Sequence, residues 1–158
     1  MIQRIQTLYL VIAMVFLSIV TAGSTIFKYI TDETVYKLNS FGFNGYDKAT
    51  DKVIELNSYP LYLSTISLVL LAFITLMAYK NLARQLKLAR MTFFIYLLLT
   101  IGMVIFSFVG GEAFISENFK RELGAGYLLF VAGLPFSFLA NIAIKRDKSL
   151  IDSLNRLR

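Results

Sequence analysis

The residue types that most often carry out chemistry are scarce in this sequence, and two are missing. It contains no Cys, which excludes disulfides, thiolate metal sites and iron–sulfur ligation by this chain. It contains no His either, so the usual general base near neutral pH and the commonest metal ligand are absent. We therefore predict no cofactor, no metal site and no enzymatic activity.

The charged residues that are present leave four long stretches uncharged. These stretches run from Arg4 to Lys28, Glu55 to Lys80, Arg90 to Glu112, and Glu122 to Lys145. Each is long enough for the roughly 20 residues that cross a bilayer. Pumps and charge-coupled transporters usually keep an ionisable group inside the membrane. The absence of one in these stretches argues against pumping and against intramembrane acid–base catalysis.

Hydroxyl groups and one amide are the polar side chains left inside the stretches. They are Ser18, Thr21, Thr25, Ser64, Ser67, Thr75, Thr100, Ser107, Ser137 and Asn141. Such groups usually bond to their own helix or to a neighbouring one. Helix packing is therefore the favoured interpretation, and a polar path for a solute is the alternative.

The elements that carry these residues are predicted to be four transmembrane helices, near 6–27, 60–79, 91–108 and 124–144. Residues 1–158 would then form one all-α membrane domain, a four-transmembrane-helix bundle. The soluble alternative fails because its helices would show one polar face, whereas these stretches are apolar nearly all round. The first helix is predicted to be a retained anchor, because its apolar run is longer than that of a cleaved signal peptide.

Lys and Arg in short loops set the orientation of membrane helices, with the more basic side in the cytoplasm. One side carries Lys28, Lys37, Lys48, Lys52, Lys120 and Arg121, outnumbered by acids. The other carries Arg4, Lys80, Arg84, Lys87, Arg90, Lys145, Arg146, Lys148, Arg156 and Arg158, against Asp147 and Asp152 alone. The prediction is a multi-pass protein of the bacterial inner (cytoplasmic) membrane with both termini in the cytoplasm.

The segments outside the helices differ in character. Residues 28–57 are predicted to form a small extracytoplasmic β-ribbon of two or three strands, because Asn44-Gly45 lies between β-favouring runs and suits a hairpin turn. The connection 80–90 is predicted to stay helical with a break near Asn81. Residues 145–158 are predicted to form a cytoplasmic amphipathic tail with Leu150, Ile151, Leu154 and Leu157 on one stripe. A frayed basic segment is the alternative for the tail.

Two sets of residues are candidate contact sites. Small residues on the fourth helix predict a face for close helix packing or for a partner: Gly126, Gly133, Ser137 and Ala140. Basic residues near the ends of the chain predict contacts with anionic lipid or with a partner: Arg4, Lys145, Arg146, Lys148, Arg156 and Arg158. Because such residues only flank the apolar stretches, no nucleic-acid surface is expected.

Both ends of the sequence resemble a known family. The opening Met1–Leu10 (MIQRIQTLYL) and the closing Ala140–Asp147 and Leu154–Arg158 resemble an uncharacterised four-helix membrane family of Bacteroidota-type bacteria, domain of unknown function 4293. The resemblance implies a bacterial inner-membrane location and brings no activity with it.

These observations lead to two functional hypotheses. The first is a non-enzymatic accessory or scaffold subunit of a larger inner-membrane assembly, with membrane lipids and other integral membrane subunits as partners. The alternative is a small self-assembling channel or transporter for a neutral or lipid-like solute. The direction of the small-residue face separates them: an outward face favours a partner, and an inward face beside a polar cavity favours transport.

Overall fold

The computed structural model describes residues 3–50, 52–115 and 118–156 as four helices and five strands. The helices are α1 (Gln3–Thr21), α2 (Tyr62–Met77), α3 (Leu82–Phe114) and α4 (Ala125–Arg156). The strands are β1 (Phe27–Ile30), β2 (Thr34–Asn39), β3 (Gly42–Asp47), β4 (Val53–Ser58) and β5 (Lys120–Leu123). A short 3₁₀ turn, Ala78–Lys80, follows α2.

The helices meet along seams of buried residues spaced alternately three and four apart. On α1 the buried positions are Gln6, Leu10, Ala13, Leu17 and Val20. On α4 they are Gly126, Phe130, Gly133, Ser137, Ala140, Ile144 and Asp147. This spacing is that of helices which pack nearly parallel to each other's axes, with side chains interdigitating along the contact. The Phe16 and Phe136 rings meet at 5.8 Å between centroids.

The predicted fold class is wrong in its number of membrane-spanning helices. Within the described residues, three helical segments are long and apolar enough to cross a membrane: Tyr62–Lys80, Leu82–Gly111 and Ala125–Ser153. The apolar part of α1, Ile5–Thr21, is shorter. The helix stops early because Gly23 has a φ of 107°, a left-handed conformation that ends helices. Ile26 and Phe27, predicted to lie in the first helix or at its end, instead lie before and within strand β1.

The fold class is also wrong about the β-structure, which is a five-stranded antiparallel sheet rather than a small ribbon in one loop. The strand order is β4-β3-β2-β1-β5. Strand β5 comes from the second predicted outside segment and pairs with β1 from the first, with Tyr29 opposite Arg121. A strand of four residues has too weak a pattern to be recognised alone, and its pairing joins segments far apart in sequence.

The hairpin turn lies outside the Asn-Gly pair that suggested it. Asn44 and Gly45 sit inside β3, paired with Lys37 and Tyr36 of β2. The turn between β2 and β3 lies at residues 39–42 instead. There the Asn39 side-chain oxygen accepts hydrogen bonds from the backbone N–H groups of Phe41 and Gly42, each at 3.0 Å. An Asn side chain can mimic a backbone turn in this way.

Two features of the basic segments are clear in the structure. The predicted break near Asn81 is confirmed: Asn81 is extended, and its side chain caps α3 by accepting from the Arg84 N–H at 3.1 Å. The predicted tail 145–158 is continuous with the fourth helix as far as the structure describes it, because α4 runs unbroken to Arg156.

The core lies where the helix ends meet the sheet. Its buried cluster draws on every helix and on three strands: Leu17, Val20, Ile26, Phe27, Tyr29, Leu38, Phe43, Leu68, Tyr96, Met103, Ile115 and Phe130. Hydrogen bonds tie the two parts together. The Tyr29 hydroxyl donates to the Ser107 carbonyl at 3.0 Å, and the Ser40 hydroxyl donates to the Val20 carbonyl at 2.6 Å. The sheet is therefore fixed to the helices.

Candidate functional site at the basic end of the helices

The end of the helices that lies away from the sheet carries most of the basic side chains. Helices α3 and α4 have 33 and 32 residues, so each is about 50 Å long at 1.5 Å per residue, against about 30 Å for a hydrocarbon core. The ends of these helices that lie away from the sheet carry Arg84, Lys87 and Arg90 of α3 and Lys145, Arg146 and Lys148 of α4. We call this region the basic end.

A cleft of about 610 Å³ opens between α3 and α4 at the basic end. Its lining brings together three cations from two helices, Arg90, Lys145 and Lys148, with one acid, Asp152. Ser149 and Ser153 add hydroxyl groups. Converging cations and hydroxyl donors suit a phosphate or another anion, and juxtamembrane basic residues attract anionic lipid. Of these cations, sequence reasoning missed Arg90, which lies far from α4 in the chain.

A second cleft, of about 390 Å³, lies on the other side of α4 against the start of α1. Arg146 lines it with Asp147, Ile5 and Tyr9. The predicted lipid-contact residues thus divide between two clefts rather than forming one patch. Arg4 and Arg156 belong to α1 and α4 at the basic end by their backbone positions. Arg158 lies outside the described residues.

The small residues of α4 face the interior of the chain. A Cβ at Gly133 would overlap the Tyr96 hydroxyl, and one at Gly126 would lie 2.8 Å from the Ser24 carbonyl oxygen. Ser137 and Ala140 are 4% and 0% exposed. These four small residues therefore make contacts within the chain, and they are buried where another subunit could not reach them.

The membrane hydroxyls bond chiefly to the helix that carries them. The Thr21, Thr75 and Thr100 hydroxyls donate to carbonyls four residues earlier, at 2.7–2.8 Å. Two pairs also connect helices: Thr21 with Thr65 at 2.8 Å, and Thr75 with Thr92 at 3.2 Å. This is the bonding expected of packing residues, and none of the pockets found among the described residues is lined by a continuous row of them.

Sequence reasoning missed a buried polar layer at the basic end. Gln6 of α1, Gln85 of α3 and Asp147 of α4 are 1%, 2% and 7% exposed. A signal was present in the α4 pattern, because the alternating three-and-four spacing of its small residues continues through Ile144 to Asp147. The layer was overlooked because the helix was expected to end at Ile144.

A comparison with protein families identifies the family to which this chain belongs. A family model described as a domain of unknown function, DUF4293, matches residues 2–157. The chain belongs to the DUF4293 family. The match confirms the resemblance of both ends and extends it over nearly the whole chain. A search of curated proteins finds no match to this DUF4293 sequence.

Proposed function

We propose that this DUF4293 chain is a non-enzymatic accessory or scaffold subunit of a larger bacterial inner-membrane assembly. The observation that supports the proposal is the open edge of strand β4. Within the described residues β4 pairs with β3 alone, and its Val53 and Ile54 side chains are 49% and 56% exposed. An unpaired strand edge presents backbone donors and acceptors that another chain can extend.

The attachment of the sheet to the helices favours this role. Because the sheet is fixed by the Tyr29–Ser107 and Ser40–Val20 hydrogen bonds, the β4 edge is held in one orientation relative to the helices. A rigid edge loses little conformational entropy when it binds. The partner in the proposal is another integral membrane subunit with an extracytoplasmic strand.

The proposed location is the bacterial inner membrane, with the basic end in the cytoplasm and the sheet outside. The distribution of Lys and Arg supports this orientation. The proposal assigns the end of α4 to the cytoplasmic side, because α4 ends at the basic end. There the Arg90, Lys145 and Lys148 cleft would bind anionic lipid headgroups.

The test is to isolate the tagged protein from its native membrane in mild detergent and to identify by mass spectrometry what remains bound. The proposal predicts a membrane partner in fixed stoichiometry. Recovery of the chain alone, or with lipid and copies of itself, would contradict the proposal.

Two matched variants connect the partner to the β4 edge. The double substitution Val53→Lys and Ile54→Lys places charges on the open edge, a change that blocks strand pairing, and should release the partner. Ala49→Lys adds a charge at an exposed position in the neighbouring loop and should retain it. If both variants retain the partner equally, β4 is not the docking edge.

A second candidate, a small self-assembling channel or transporter for a lipid-like solute, has one favourable observation. A cleft of about 260 Å³ lies between α2, α3 and the sheet, with a lining that is apolar except for Ser64. A Cβ added at Gly102, which lines it, would meet no atom within 4 Å. Reconstituted protein should move a fluorescent lipid between bilayer leaflets, and Gly102→Leu, which narrows the cleft, should slow it. No movement above protein-free vesicles would reject this candidate.

A further inference from the structure

Gln6 of α1, Gln85 of α3 and Asp147 of α4 are buried side chains near the basic end of three helices. Ile5, the neighbour of Gln6, lines the same cleft as Asp147. Leu86, the neighbour of Gln85, belongs with Ala89 to a buried cluster completed by Ile144, one helical turn before Asp147. We call Gln6, Gln85 and Asp147 the polar layer.

The polar layer contains more buried hydrogen-bonding groups than it satisfies. Four buried atoms make no hydrogen bond: Oε1 and Nε2 of Gln6, Oε1 of Gln85 and Oδ2 of Asp147. An unsatisfied buried group destabilises the folded state, and a charged one destabilises it more. Three of the four atoms are oxygens, and one belongs to a carboxylate. The layer therefore offers mainly acceptors and one negative charge.

No cation of the described side chains lies within ion-pair distance of that carboxylate. Arg146 lines the same cleft as Asp147, but among the described residues the only ion pair joins Lys120 and Glu122. Buried charges in proteins are paired or coordinate metal ions. Oxygen ligands suit hard cations, and a single carboxylate balances a single positive charge. We propose that the polar layer binds a monovalent metal cation, such as sodium, through the side-chain oxygens of Gln6, Gln85 and Asp147. This departs from the prediction of no metal site, which rested on the absence of Cys and His.

The position of the layer allows a cation to reach it. Asp147 lies about 33 Å from the start of α4 at 1.5 Å per residue, which is near the edge of a hydrocarbon core about 30 Å thick. Asp147 also lines the cleft of about 390 Å³ beside α1. A cation would therefore enter from the aqueous side of the basic end. It would tie together α1, α3 and α4.

The test uses the purified full chain in detergent, with thermal unfolding followed by circular dichroism. Sodium is compared with N-methyl-D-glucamine, a cation too large for the layer, at constant ionic strength. A ligand that binds only the folded state raises stability logarithmically with its concentration. At ten times the dissociation constant, the Tm of a chain of this size should rise by about 3–6 °C. Retention of sodium-22 on the protein measures the binding directly.

Variants decide which residues hold the ion. Asp147→Asn should abolish both the sodium-dependent Tm shift and sodium-22 retention, and Gln85→Met should weaken both. Asp32→Asn, at an exposed acid between β1 and β2, should leave them unchanged. A wild-type Tm that is equal in the two salts, with no sodium-22 retained, would overturn the proposal. So would sodium binding that survives Asp147→Asn.

Discussion

Replacing Gly133 by alanine tests how closely α3 and α4 approach each other. A Cβ at this position would overlap the Tyr96 hydroxyl, which is buried and donates to the Phe130 carbonyl at 2.6 Å. Overpacking a core costs about 1–3 kcal/mol, and losing a buried hydrogen-bond partner costs about 1–3 kcal/mol. We expect Gly133→Ala to lower the free energy of unfolding by about 2–6 kcal/mol, the sum of the two contributions.

The assay is unfolding in mixed micelles by a titration of sodium dodecyl sulfate, followed by circular dichroism. Gly102→Ala is the matched control, because a Cβ there meets no atom within 4 Å and alanine favours a helix by about 1 kcal/mol over glycine. The control should be neutral or slightly more stable than the wild type.

A second substitution identifies the clashing atom. Tyr96→Phe removes the hydroxyl, so adding Gly133→Ala to a Tyr96→Phe background should cost much less than adding it to the wild type. The difference is a coupling free energy of about 1–3 kcal/mol. If Gly133→Ala is as stable as the Gly102→Ala control, or if Tyr96→Phe gives no relief, the close approach described here is incorrect.

Three further predictions concern single side chains. Burial raises the pKa of the Tyr29 hydroxyl. The stabilisation that this hydroxyl gives should therefore be full below about pH 10 and lost as pH rises through the folded-state pKa. In thermal melts, the difference in Tm between the wild type and Tyr29→Phe should decrease over that range. A hydrogen bond from the Ala49 N–H lowers the pKa of Asp47. The contribution of the Asp47 carboxylate to stability should therefore be present above about pH 4 and lost as pH falls through the folded-state pKa. Thermal melts of the wild type and of Asp47→Asn at several pH values should show this loss. Thr92→Val removes the bond to Thr75 and should cost about 0.6 kcal/mol in micelle unfolding; no change would mean that the bond contributes nothing.

The sequence predicted best what depends on long local patterns. Three of the four predicted spans correspond to segments long and apolar enough to cross a membrane, because hydropathy over many residues is a strong signal. The break at Asn81 was also predictable, since an Asn followed by a helical run is a typical cap.

What the sequence could not predict depends on contacts between distant segments. The β1–β5 pairing joins Tyr29 to Arg121, and no local pattern at Lys120–Leu123 signals a partner. The hairpin turn predicted at Asn44-Gly45 was wrong because the Asn39 side chain fixes the turn earlier in the chain. Within the candidate site, Lys145 and Lys148 were found from their charge. Arg90 was missed because only the packing of α3 against α4 brings it to them.

The proposed topology puts the basic end and the sheet on opposite sides of the inner membrane. The chain has no Cys, so a single introduced thiol reports its own location. Ala83→Cys at the basic end and Ala49→Cys at the tip of the sheet are both exposed positions and form a matched pair. Each would be treated with a membrane-impermeant maleimide before and after the inner membrane is broken. With the sheet outside, Ala49→Cys should be labelled in intact spheroplasts and Ala83→Cys only after breakage. Labelling of both in intact spheroplasts, or the reverse order, would contradict this topology.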